Sequence, residues 1–173
     1  MRLETLMTKY EKRLAEERKR HELIRKRHDA FVAEFERLTD ETIRPTMEDV
    51  GAVLRSRGHD YDIATTQGYT DVDRRPRNTQ ITMLVYPAGI QRSLFTSTST
   101  PYVAFVCDWP ETRITVRQSV TTPGNVAKTS PAVDKSGRRA EYFVKQVTAP
   151  AVEREIVEAL AGVFGRGPIP DRR

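Results

Sequence analysis

The sequence has one cysteine, one tryptophan, three histidines and nine glycines among its 173 residues. A lone Cys107 excludes an intrachain disulfide framework and any multi-cysteine metal site. The scattered glycines form no phosphate-cradling loop and no Gly-x-Ser-x-Gly elbow for a serine nucleophile. No His-Glu-x-x-His pair occurs, and two of the histidines, His21 and His28, fall in one highly charged opening segment. No run approaches the roughly 18 apolar residues that a membrane span needs, and the opening stretch MRLETLMTKYEKRLAEERK lacks the apolar centre of a secretory signal. A cytoplasmic protein with no cofactor, no metal and no enzymatic motif is the expectation. Apolar residues make up 38%, below the usual ~45–50%, and charged residues 31%, above the usual quarter or so. Part of the chain therefore does not form core.

That part is the beginning. Residues 1–38 contain 11 basic and 8 acidic side chains and neither glycine nor proline, so nothing there interrupts a helix. Apolar positions step alternately by four and three through Leu3, Met7, Tyr10 and Leu14, then Ile24, Phe31, Phe35 and Leu38, with Glu17, His21 and His28 completing the series. This is the 3.5-residue period of a coiled-coil seam, sustained for about five heptads. Such a helix is on the order of 50 Å long, more than a small domain can cover. The lower patch, Ile24 to Leu38 with Val32 alongside, is expected to dock on a globular body. The upper patch then needs another partner.

Asp40 to Arg44 breaks the pattern, and Pro45 suits the first turn of a second helix carrying Met47, Val50 and Leu54 on its apolar face. The same proline permits a hairpin in which the arm folds back on that helix. Gly58 stands where a terminating glycine belongs. Strands are expected at Tyr61–Thr65, Thr79–Tyr86, Tyr102–Cys107, Arg113–Val120 and Ala140–Val147. The apolar run at Tyr102 suggests a central strand, and the alternation after Arg113 suggests one buried and one wet face. Thr148 and Pro150 open a last helix with Val152, Ile156, Leu160, Val163 and Phe164 as its stripe. Strands without intervening helices predict an antiparallel meander. The fold class is thus α+β: a long N-terminal helical arm (1–38), a two-layer domain (39–165) of about five antiparallel strands covered on one face by helices, and a polar tail (166–173). Three long connections stand out, at 66–78, 87–101 and 121–137.

Few residues suggest chemistry. His59, Asp60 and Asp62 enter the first strand, where neighbours point to opposite faces; a solvated junction is the simpler reading than a metal or acid–base site. Cys107 ends an apolar strand beside Asp108, which suits a small buried hydrophobe better than a nucleophile. Trp109 sits in an Asp-Trp-Pro-Glu turn and is expected to pack against it. Arg74, Arg75, Arg77, Lys135, Arg138 and Arg139 cluster near long loops and could meet on one rim as phosphate contacts. No interleaved aromatics accompany them as a stacking platform for single strands.

The arm is the most informative feature. With Met7, Leu14, His21, His28 and Phe35 at heptad position a, the e positions are Glu4, Glu11, Arg18, Arg25 and Val32, and the g positions are Leu6, Arg13, Arg20, Arg27 and Glu34. A parallel in-register pair sets Arg13 against Arg18 and Arg20 against Arg25, a disfavoured arrangement. An antiparallel pair with Leu14 opposite Glu17 brings Glu4 to Arg25 and Glu11 to Arg18, while the other flank sets Arg13 near Arg20. A different protein with acidic flanks would satisfy all these arginines. The leading expectation is a non-enzymatic interaction module, an adaptor or small subunit docking through Leu3, Met7, Tyr10, Leu14, His21 and Ile24 to a protein partner or its own twin. A nucleic-acid-binding accessory protein using Arg74, Arg75, Arg77, Arg138 and Arg139 is the second. A small-ligand sensor or enzyme with a pocket between sheet and helices is the third.

Overall fold

The computed structural model describes residues 2–70, 76–109, 111–124 and 138–165. Helix α1 runs Leu3–Leu38 and helix α2 runs Arg44–Ser56. The expected break between them is absent. Residues Thr39–Ile43 form a π-helical turn, Arg44 keeps helical angles, and the rod is continuous from Leu3 to Ser56. A π-turn accounts for this tolerance of proline. A proline inside an α-helix strikes the carbonyl four residues back and lacks an N–H to give. Here the turn is widened: the Arg44 N–H reaches Thr39 O, five residues back, and the Thr46 hydroxyl donates to Thr42 O (2.7 Å). Arg37 straddles the junction, pairing with Glu34 and Glu41 at 2.6 Å each. The hairpin alternative is therefore excluded. Helix α2 stops where expected: Gly58 adopts φ +85, its N–H bonding Arg55 O while the His59 N–H bonds Leu54 O.

The sheet has strands β1 (Asp60–Thr66), β4 (Gln80–Tyr86), β5 (Tyr102–Asp108), β6 (Arg113–Ser119) and β7 (Arg138–Tyr142), all antiparallel, in the order β1-β4-β5-β6-β7. A short ribbon of β2 (Tyr69–Thr70) and β3 (Pro76–Arg77) is carried by the first long connection. Helix α3 (Ala149–Phe164) begins after Thr148, whose hydroxyl accepts from Ala151 N–H. The architecture is the expected α+β meander with its helical layer.

The core lies between that layer and one sheet face. Phe31, Phe35, Leu38, Ile43, Met47 and Leu54 from the rod meet Ile81, Met83, Val103, Phe105, Ile114 and Val116 from the sheet, with Val152 and Ile156 from α3. Two details differ from the sequence expectation. In β5 both faces are covered, since Ala104 and Val106 are as buried as Val103 and Phe105, and Thr115 of β6 is buried too, donating to Asp108 (3.0 Å). The alternation after Arg113 is thus no mark of a wet face at this point. Strand β7 ends at Tyr142 instead of Val147; Val144–Gln146 form a 3₁₀ turn, and Phe143 points outward under Arg113, whose guanidinium carbon lies 3.5 Å from the ring centre.

Candidate functional site

Helix α1 divides sharply in its environment. Its last two turns belong to the core, where Phe31, Phe35 and Leu38 are buried and Val32 is half-buried. The turn before them is held by Trp109, whose ring lies 5.1 Å from the half-buried His28 edge-on and 6.4 Å from Phe31. Trp109, expected to pack against its own turn, thus packs on the rod. From Arg27 back to Leu3 every residue except Leu14 is exposed, and Leu14 is half-exposed. The exposed apolar side chains include Leu3 (74%), Tyr10 (59%), Met7 (46%) and Ile24 (45%). Ile24, expected in the lower patch, stands with the upper group instead. His21 is exposed on the same face, and Leu14, Glu17, Arg18, His21, Glu22 and Arg25 outline a shallow trough along the middle of the arm.

Two apolar residues beside the seam escape a reading by heptads. Leu6 at a g position and Leu23 are more than half exposed, and a scan for any apolar residue on the arm, whatever its heptad letter, would have found them. Among the described residues, Glu4, Glu11, Arg18 and Arg25 have no ion pair within their own chain, whereas Lys26 pairs with Glu22 (3.3 Å). The surface is thus an apolar stripe flanked by exposed charges of both signs.

The arginine clusters do not converge in this way. Arg74 and Arg75, and Lys135 with them, lie outside the described residues. Arg77 is in β3, which leads into β4 at the end of the sheet nearest the β5–β6 turn; Arg138 sits opposite Arg117, at the other end of β7. Arg139 faces inward. The register steps between Val116, opposite Ala140, and Arg117, opposite Arg138, leaving Arg139 without a partner on β6. Such a bulge re-aims a side chain, and Arg139 Nε reaches Glu155 at 2.6 Å while a terminal guanidinium nitrogen reaches Glu158. Glu155, only 3% exposed on the buried face of α3, also accepts from the Tyr142 hydroxyl. Burial and that bond to Glu155 raise the Tyr142 phenol above its ordinary range. A sequence signal was available for Glu155 but not for the cation that meets it: Glu155 falls on the stripe of Val152, Ile156 and Ala159, where a carboxylate needs an internal cation.

The remaining candidates are occupied. His59 Nδ1 accepts from the Ala88 N–H (3.0 Å) and its ring lies tilted against that of Phe164, 4.6 Å between centres. Arg92 bridges Asp60 (2.8 Å) and Asp62 (2.5 Å), and Arg55 adds a second contact to Asp60 (3.2 Å). The Tyr61 N–H and Arg55 hold the Asp60 carboxyl below its ordinary range. Among the described residues no three His, Cys, Asp or Glu side chains gather to hold a metal. Cys107 is buried, and its thiol is pushed up to about 12 by that burial, with Asp108 and Glu36 adding to it. A recess of about 260 Å³ opens beside the π-turn among Glu36, Thr39, Arg44, Thr65 and Thr79, where Arg44 already donates to Thr65 (2.5 Å). No helix among the described residues is long and apolar enough to cross a membrane. No protein-family model, curated protein or solved structure matches the chain.

Proposed function

We propose that this protein is a non-enzymatic interaction module, a cytoplasmic adaptor or small subunit of a larger assembly, that docks through the exposed part of helix α1. One observation carries the reading. Leu3, Met7, Tyr10, Leu14, His21 and Ile24 line one seam of a rod that extends on the order of 40 Å beyond its last hold on the body, the His28–Trp109 contact. Leaving such a stripe in water forgoes burial worth roughly 1.5–3 kcal/mol for each large aliphatic side chain. Isolated exposed hydrophobes are ordinary, but an ordered series along one helix face is the form in which a helix presents itself to another helix.

The arginine-based reading has less support. Arg139 is satisfied by Glu155 and Glu158, and the backbone positions of Arg77 and Arg138 leave the sheet at opposite ends.

Replacing both Leu14 and Ile24 by Asp is the direct test. The variant chain should keep the circular dichroism and unfolding midpoint of the sheet domain and lose whatever the wild-type chain recovers from its native host. Recovery of the same partner at wild-type yield by the variant would reject the docking reading.

A further inference from the structure

The free part of the arm, residues 3–27 with half-buried His28 at its foot, has a length and a charge order that suit one occupant. We propose that the arm packs against the same segment of a second copy of this chain, antiparallel, with Leu14 opposite Glu17; this rests on the docking reading above.

In that register the seam of one copy covers the seam of the other from end to end. Leu3 meets His28 of the second copy, Met7 meets Ile24, Tyr10 meets His21 and Leu14 meets Glu17, each contact made twice by symmetry. The overlap begins at the first helical residue and ends where Trp109 and the body take over the helix, so the exposed seam is covered throughout and nothing buried must move. It spans nearly four heptads, the extent over which a coiled-coil seam sustains itself. Leu3 of each copy arrives beside His28, next to the half-buried Trp109 ring of the other, so the interface continues onto an apolar surface already present.

Charge selects this arrangement over its competitors. On the e flank, Glu4 faces Arg25 and Glu11 faces Arg18, four opposite-sign pairs per dimer, formed by groups with no ion pair of their own among the described residues. On the g flank Arg13 faces Arg20, two like-charge contacts per dimer against the four opposite-sign ones. A parallel pair has no opposite-sign contact at all: Leu6 faces Glu11, Arg13 faces Arg18, Arg20 faces Arg25 and Arg27 faces Val32. It also crowds both globular bodies at one end. Matching the upper patch only to itself, Leu3 on Leu14, sets Glu4 against Glu11 and covers only residues 3–14. Exposed pairs are individually weak, but their signs decide orientation and register.

Two measurements on the purified full chain decide the matter. Sedimentation equilibrium should find a dimer at micromolar concentrations. Glu11→Arg should weaken it about tenfold, since two attractive contacts become repulsive, and Glu11→Arg with Arg18→Glu should restore it. Orientation is read by oxidation after mixing Met7→Cys with Ile24→Cys chains, both substitutions being on exposed positions and the native Cys107 being buried. Antiparallel packing gives a disulfide joining one chain of each variant, and neither variant cross-links alone. Cross-linking of either variant with itself overturns the orientation. A chain that stays monomeric throughout overturns self-pairing; if the Leu14 and Ile24 double variant still loses a host partner, the docking reading stands and the partner is a different helix.

Discussion

A thiol and a guanidinium behave differently here from their counterparts in water. Cys107 has no exposed face and two carboxylates nearby, so its neutral form is favoured in the folded state. Its ordinary value is 9.0 and its folded value about 12, which fixes the sign of the pH response. Below about pH 9 the full contribution is present; above it the unfolded chain ionises first, and stability is lost as pH rises. Tyr86 and Tyr142, both raised by burial, add losses of the same sign from about pH 10. Denaturant melts should therefore lose about 1 kcal/mol between about pH 9 and 10, and Cys107→Ala should flatten that interval. A thiol reagent should label Cys107 only on unfolding. The buried character of Cys107 was legible from its place after Tyr102 to Val106. The inward turn of Arg139 was not, because a one-residue bulge leaves no mark in composition or alternation.

That bulge couples β7 to α3, and the coupling has a predictable size. Arg139 and Glu155 are both largely desolvated, so removing one leaves the other uncompensated. Arg139→Ala should destabilise the fold by about 3–5 kcal/mol, whereas replacing both residues by apolar ones of similar volume should recover most of the loss. Urea unfolding of the single and double variants measures both. Along the rod, a similar contrast separates its two zones. Phe35→Ala should lower stability by about 3–5 kcal/mol, and Tyr10→Ala should stay within about 0.5 kcal/mol in dilute solution. Equal effects at the two positions would mean that the arm is not the free surface described. The stripe itself could be read from spacing, since Leu3 to Leu38 keep one period throughout. The continuity past Leu38 could not, because Pro45 signals a stop in any local reading and only the π-turn, a property of hydrogen-bond geometry, lets the rod continue.

At the level of the whole molecule, the layered architecture was legible because each strand of the five-stranded sheet announces itself by its own residues and no α-helical pattern falls between consecutive strands, which leaves a meander to connect them. The burial of both faces of β5 was less so: a continuous apolar run such as YVAFVC signals a central strand, but a polar residue such as Thr115 reads as wet until its hydrogen bond to Asp108 is seen. What distinguishes this molecule is that α1 and α2 form one uninterrupted rod whose far half is core. A flexible linker would let its passenger tumble independently of whatever held the tip. Here helical hydrogen bonding runs from Leu3 through the π-turn, and Phe35, Ile43 and Met47 along it pack in the core against the sheet, so a load taken up near Leu3 would reach the sheet along one continuous helix. The arm is a lever rather than a tether: whatever grips it also sets the attitude of the body.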